Sequence, residues 1–252
     1  MCLILLAWQV HPGYPLVVAA NRDEFFARPT APAEFWTDAP QLLAGRDLEA
    51  GGTWMGITRN GRFAALTNYR DSTQNRSNAP SRGGLVADFL TGSERPQDYL
   101  QRIEASGKER NGYNLLVSNG ENLWWSSNMG GAAQQLEPGV YGVSNHLLDT
   151  PWPKVGAGKT ALTQALDRLP DDQALFELLQ DDGIHPDEHL PQTGIPLDWE
   201  RLLSSAFVKS PDYGTRSSTV LCVGNDGWTV VDEQTWLPDA QRGQRVRYRF
   251  PR

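Results

Sequence analysis

The sequence predicts an α+β layered architecture, and three observations predict it. Pairs of mostly apolar segments joined by turn chemistry recur along the chain, helical spacings of three and four fall between them, and strands and helices come in blocks. Regular βαβ alternation, the mark of a doubly wound parallel sheet, is absent. The first pair is residues 3–10 and 16–20 around His11-Pro12-Gly13-Tyr14-Pro15. Residues 53–58 and 62–68 flank Asn60-Gly61, and residues 113–118 and 123–127 flank Asn119-Gly120, dipeptides that tolerate the positive φ of tight turns. Residues 219–223 and 228–232 flank Asn225-Asp226-Gly227. These hairpins suffice for two packed sheets. Helical spacing marks 85–90, 98–103, 162–169 and 174–179, and the polar stretches 70–84 and 181–198 read as long loops of the kind that form lids or binding loops.

Composition narrows the class. At 252 residues with no linker-like stretch, the chain reads as one domain, 1–252, long enough for a substantial core. A net charge of -7 and a pI near 5.1 argue against a nucleic-acid partner, which needs clustered Lys and Arg. A small-molecule ligand or substrate is expected instead, and no motif specifies an oligomeric state. The only cysteines are Cys2 and Cys222, which fits a reducing cytoplasm better than a disulfide framework. The apolar N-terminal run soon meets Gln9, His11 and Pro12, too early for a secretory leader or a membrane span.

Several motifs lead nowhere. Gly156-Ala157-Gly158-Lys159-Thr160 resembles the end of a phosphate-binding loop, but Pro153 stands where that motif needs glycine, so the segment reads as a helix start with Lys159 solvated. His185 and His189 sit among Pro186 and Pro191 and read as loop histidines, and no metal site is expected. His146 follows Ser144-Asn145 without the surroundings of a nucleophile elbow.

Cys2 is different because it stands directly behind Met1. Removing the methionine would give one residue a thiol, with an ordinary pKa near about 8.5, and an α-amine near about 7.7–8.0, so nucleophile and base would share a residue. Folding back of the first hairpin brings Asn21-Arg22-Asp23-Glu24 close to residues 2–5. An arginine there would lower the thiol pKa, and an aspartate would hold the α-ammonium. Alternation along a strand sends adjacent side chains to opposite faces, and Arg22 is the one expected to miss the thiol.

The tetrapeptide Asn21-Arg22-Asp23-Glu24 resembles the signature of the NRDE family, the transport and Golgi organization protein 2 family. The resemblance continues through Gly51-Gly52-Thr53-Trp54-Met55-Gly56, Ala65-Leu66-Thr67-Asn68-Tyr69-Arg70, Arg82-Gly83-Gly84-Leu85, Tyr113-Asn114-Leu115, Gly142-Val143-Ser144-Asn145 and residues 214–220, nearly the whole chain. It implies a four-layer αββα sandwich, two antiparallel sheets between helical layers, similar to N-terminal nucleophile hydrolases of the choloylglycine hydrolase and penicillin V acylase type. By that resemblance Cys2 attacks a non-peptide amide carbonyl without any cofactor, Asp23 orients the α-amine and Arg22 sits near the thiolate. Asn68 or Asn145 supplies the oxyanion donor and Arg216 closes the site electrostatically.

The same family is associated with haem trafficking, which implies a rival reading of binding without bond cleavage. Haem would need an aromatic cleft, for which Trp8, Trp54, Trp124, Trp125 and Tyr69 are candidates, and cations for its propionates, for which Arg22, Arg70 and Arg216 are candidates. His146 or Cys2 would ligate iron. No CxxCH occurs, so attachment would not be covalent. A lipid or acyl-group carrier would use the same cleft.

Overall fold

A computed structural model describes residues 2–71, 73, 76–106 and 110–252. In chain order its strands are β1 (Cys2–His11), β2 (Tyr14–Phe25), β3 (Thr30–Phe35), β4 (Leu42–Asp47), β5 (Met55–Thr58), β6 (Phe63–Asn68) and β7 (Tyr113–Ser118). They continue with β8 (Leu123–Ser127), β9 (Gln134–Leu136), β10 (Gly139–Val143), β11 (Tyr213–Val223), β12 (Trp228–Trp236) and β13 (Arg242–Pro251). The helices are α1 (Gly83–Thr91), α2 (Pro96–Ala105), α3 (Pro153–Leu166), α4 (Gln173–Leu178) and α5 (Leu197–Leu202). Two compact units divide them: residues 1–27, 138–144 and 148–251 in the first, and 28–137 with 145–147 in the second.

The first unit holds a six-stranded antiparallel sheet ordered β10-β1-β2-β11-β12-β13. Leu3, Leu5 and Ala7 of β1, Val17 and Ala19 of β2, and Val220 and Cys222 of β11 share one face and pack against Val155, Leu162 and Leu166 of α3 and Leu175 and Phe176 of α4. Ile4, Leu6, Trp8, Leu16 and Val18, on the opposite face, are buried as well. That is why the N-terminal segment reads as an unbroken apolar run rather than an alternating one. The turn of the first hairpin is closed by the Gly13 N–H, which donates to His11 Nδ1 at 3.1 Å.

The second unit holds a seven-stranded antiparallel sheet in chain order, β3-β4-β5-β6-β7-β8-β9. Leu42, Ala44, Ala64, Leu66, Leu115 and Val117 pack on Leu85, Val86, Phe89 and Leu90 of α1 and on Tyr99, Leu100 and Ile103 of α2. The guanidinium of Arg62, at the start of β6, caps α1 by donating to the Phe89 carbonyl at 2.9 and 3.2 Å. Both turns expected from Asn-Gly pairs are present, with Gly61 at φ 83° and Gly120 at φ 91°.

The expected α+β class is therefore found, as two antiparallel sheets each carrying helices on one face. Among the described residues no helix is long and apolar enough to cross a membrane. Several details differ from the sequence reading. β2 and β11 run on through their polar motifs, because the polar side chains find partners inside the fold. The segment around Lys159 lies within α3, which starts at Pro153, and Lys159 is not simply solvated: its Nζ lies 2.8 Å from Asp149 Oδ1. The loop read as 181–198 gives way to α5 at Leu197.

Two glycines of α3 separate helix propensity from packing. A Cβ on Gly158 would lie 2.6 Å from Leu5 Cδ1, whereas one on Gly156 would meet nothing within 4 Å. Gly156→Ala is expected to stabilise by up to about 1 kcal/mol, and Gly158→Ala to destabilise by about 1–2 kcal/mol despite the same gain in propensity. Urea unfolding of the two variants measures both.

Candidate functional site

The β1–β2 ladder pairs Cys2 with Arg22 and Leu3 with Asn21. The β2–β11 ladder pairs Asp23 with Thr215 and Arg22 with Ser217, leaving Arg216 as the extra residue of a β-bulge. Alternation then assigns the faces. Cys2, Arg22 and Ser217 share one face of the sheet, while Asn21 and Asp23 share the helix-covered face with Leu3 and Thr215. The expected divergence of Arg22 and Asp23 is real, but in the opposite sense: Arg22 faces the thiol, and the Asp23 carboxyl turns away. The ladder register, with Cys2 opposite Arg22, decides this.

Each polar residue of the segment has a distinct role. The Asn21 carboxamide is structural: its Nδ2 donates to the Leu179 and Ala206 carbonyls at 2.7 and 2.8 Å, and its Oδ1 accepts from Ser218 Oγ at 2.6 Å. Ser218 Oγ in turn accepts from Trp236 Nε1 at 2.9 Å. Arg22 is only 6% exposed, and its Nη2 lies 3.9 Å from Glu24 Oε2. Glu24 also accepts from the Phe25 N–H at 2.9 Å, whereas Arg28 pairs with Asp47 at 2.8 Å. Asp23 is 2% exposed; its Oδ1 accepts from Thr215 Oγ1 at 2.8 Å, and its backbone carbonyl accepts from the Tyr213 hydroxyl at 3.1 Å. Arg216 reaches back with Nη1 to the Phe25 carbonyl at 2.8 Å, its guanidinium 5.4 Å from the centre of the Phe26 ring.

Cys2 is half-buried, and Ser144 Oγ donates to its carbonyl at 2.9 Å. Burial pushes the thiol above its ordinary value; the Asp23 charge adds to this, while the Arg22 charge and an Asp23 backbone N–H donated to the sulfur oppose it. Burial likewise raises the Asp23 carboxyl, against the pull of Lys154, the Thr215 hydroxyl and Arg22. Desolvation lowers Arg216, and the neighbouring Arg22 charge lowers it further. The thiol is thus held protonated at neutral pH and needs a base. Cys222, also buried, is pushed up to about 12 and is inert.

Asn68, Arg70, Asn145 and His146, also singled out by sequence, lie in the second unit. Asn68 ends β6 opposite Tyr113, and its carbonyl accepts from Asn145 Nδ2 at 2.9 Å. The Asn145 carbonyl accepts from the buried Arg70 N–H at 2.7 Å, and Asn114 Nδ2 braces the His146 carbonyl at 2.8 Å. The Tyr69 hydroxyl and His146 Nε2 are hydrogen-bonded at 2.7 Å, with the rings 4.8 Å apart, and burial lowers the His146 pKa. An axial haem bond through Nε2 would have to replace that hydrogen bond. Structure brings Cys2, Arg22, Asp23 and Arg216 together in one unit, and Asn68, Arg70, Asn145 and His146 in the other.

The family model described as Transport and Golgi organisation 2 matches residues 1–238. This chain belongs to that family. The Transport and Golgi organization protein 2 homolog of Bos taurus is 38% identical over 275 residues, covering 99% of both chains, and the human homolog is 35% identical over 94% of both. Among solved structures, a C2A mutant of the conjugated bile acid hydrolase of Clostridium perfringens matches with a TM-score of 0.52 over 98% of this chain and 92% of that one. At 8% identity that likeness is one of fold, and it puts this Transport and Golgi organisation 2 member in the N-terminal nucleophile hydrolase architecture.

Lys154 went unnoticed in the sequence, where it reads as one more lysine near a helix start. It is 4% exposed, and its Nζ donates to the Leu203 carbonyl at 2.8 Å. Its only sequence signal is a cation in the first turn of α3, where the helix dipole disfavours one.

Opposite effects of the two charges on the thiol can be read directly. Arg22→Met is expected to slow iodoacetamide alkylation of Cys2 at pH 7.5 by about three- to tenfold, and Asp23→Asn to speed it by a similar factor. Equal rates in the two variants would contradict the assigned charges. Asn21→Leu leaves two buried carbonyls and the Ser218 hydroxyl unmatched, and is expected to cost about 3 kcal/mol in urea unfolding.

Proposed function

We propose that the chain is an N-terminal-cysteine hydrolase of non-peptide carbon–nitrogen amide bonds. The observation that carries this reading is the division of labour around Cys2: Arg22 directly opposite on the thiol's face, and the Asp23 carboxylate on the other. The backbone nitrogen of residue 2 lies in the plane of the sheet, so a carboxylate below and a thiol above can both address an α-amine there. Met1 lies outside the described residues; its removal is what would create that amine.

The chemistry follows from these groups. The α-amine takes the thiol proton, and the sulfur attacks the amide carbonyl carbon to give a tetrahedral intermediate. Collapse breaks the C–N bond, and the leaving amine takes the proton back from the α-ammonium. Water, activated by the same amine, then hydrolyses the thioester and releases the acid and the free thiol. Asp23 holds the transient ammonium, and Arg22 stabilises the thiolate across the ladder. The fold supports this reading, because the bile acid hydrolase that shares it was solved with its own residue 2 changed from cysteine to alanine.

Intact mass is expected to find Met1 removed, and Cys2→Ala to abolish hydrolysis of a panel of N-acyl amides, with a loss of at least about a thousandfold. Amidase activity in protein that retains Met1 would overturn the mechanism.

A further inference from the structure

We infer that Asp149, braced by Lys159, is a positioning residue that holds Ser144, and through it Cys2, in place. The ladder of β10 on β1 ends with Val143 opposite Ile4, so backbone pairing does not extend to Ser144. Past that point the Ser144 hydroxyl, donating to the Cys2 carbonyl at 2.9 Å, joins the two strands. Asp149 then brings the chain back to β10. Its N–H donates to the Gly142 carbonyl at 2.8 Å, and its Oδ1 accepts from the Gly142 N–H at 2.8 Å, so both backbone groups of Gly142 are taken by a residue seven positions on. Gly142, Ser144, Asp149, Lys159 and Cys2 all belong to the first unit.

The geometry of Asp149 is specific. Its φ of 55° is a left-handed conformation that disfavours most side chains and that Asp and Asn tolerate best after glycine. Gly142 lies close against α3, where a Cβ would come within 2.7 Å of Val155 Cγ1. From the same helix Lys159 reaches out, its Nζ 2.8 Å from the Asp149 oxygen that takes the Gly142 N–H. With the lysine and aspartate side chains 30% and 35% exposed, this pair adds little to stability; its effect is to aim that oxygen. Val155 and Leu162 of α3 pack in turn on Leu3 and Leu5 of β1. A closed frame results, from β1 through α3, Lys159, Asp149 and β10 to Ser144 and back to Cys2. The inference rests on the proposed function for what Cys2 does, and on these contacts for how Cys2 is held.

The test labels cysteine carbonyl carbons with 13C in the full chain, whose only cysteines are Cys2 and Cys222, and assigns the Cys2 signal with Cys222→Ala. Ser144→Ala marks where that signal lies once the serine hydrogen bond is lost. Asp149→Gly suits the backbone conformation and removes the side chain; it is expected to move the signal toward the Ser144→Ala position with the urea midpoint little changed. Asp149→Asn keeps the acceptor oxygen and is expected to leave the signal near its wild-type position. An unmoved signal in Ser144→Ala or in Asp149→Gly overturns the inference. So does a shift in Asp149→Asn as large as in Asp149→Gly, because the effect would then follow charge and not the hold on Gly142. Should Asp149→Gly not fold, Lys159→Met is read in its place, and an unmoved signal there overturns the inference. Failure of the proposed function shows elsewhere, as retained Met1 or absent amidase activity, and leaves this carbonyl signal to be judged separately. In an active enzyme, Asp149→Gly is also expected to lower kcat by about tenfold with KM little changed.

Discussion

The register of β1 against β2 is the constraint on which the site depends. A strand has a side-chain period of two, so slipping this ladder by one residue would exchange every inward and outward position. Leu3, Leu5 and Ala7 would leave their packing on α3 and α4, and Arg22 would no longer face Cys2. Core packing and site assembly therefore enforce the same alignment. The apolar residues supply the energy that selects it, and the polar ones take their places as a result.

Three consecutive polar residues in a central strand would ordinarily be a defect, since each buried donor or acceptor must be matched. Here each residue is held differently. Asn21 ties the sheet to two loop carbonyls, Arg22 meets Glu24 across a strand end, and Asp23 is gripped by a threonine from the neighbouring strand. The signature is thus one structural task and two electrostatic ones compressed into adjacent positions. Glu24, whose purpose is obscure in the sequence, serves as the carboxylate beside Arg22.

Much of this was legible in the sequence, for identifiable reasons. β7 and β8 match their expected bounds because an Asn-Gly turn sets both inner ends. Short strands such as β3 and β9 carry little periodic signal, whereas β13 does carry one, its arginines alternating with Val246, Tyr248 and Phe250. The cluster of Arg22, Asp23 and Cys2 was foreseeable from hairpin geometry, whereas which face each occupies was not, because a turn read to within one residue cannot fix parity. Lys154 was illegible for a different reason: its buried Nζ is met by the Leu203 and Ser205 carbonyls, far along the chain from it.

The bulge in β11 has a consequence for how such a protein can vary. Because Arg216 adds a residue to the strand, β11 can answer to both faces of β2 only while its residue count is kept. Point changes at 215, 216 or 217 alter one chemical group each. Losing a single residue there would instead move every side chain from Tyr213 to Thr215 to the wrong side of the sheet at once.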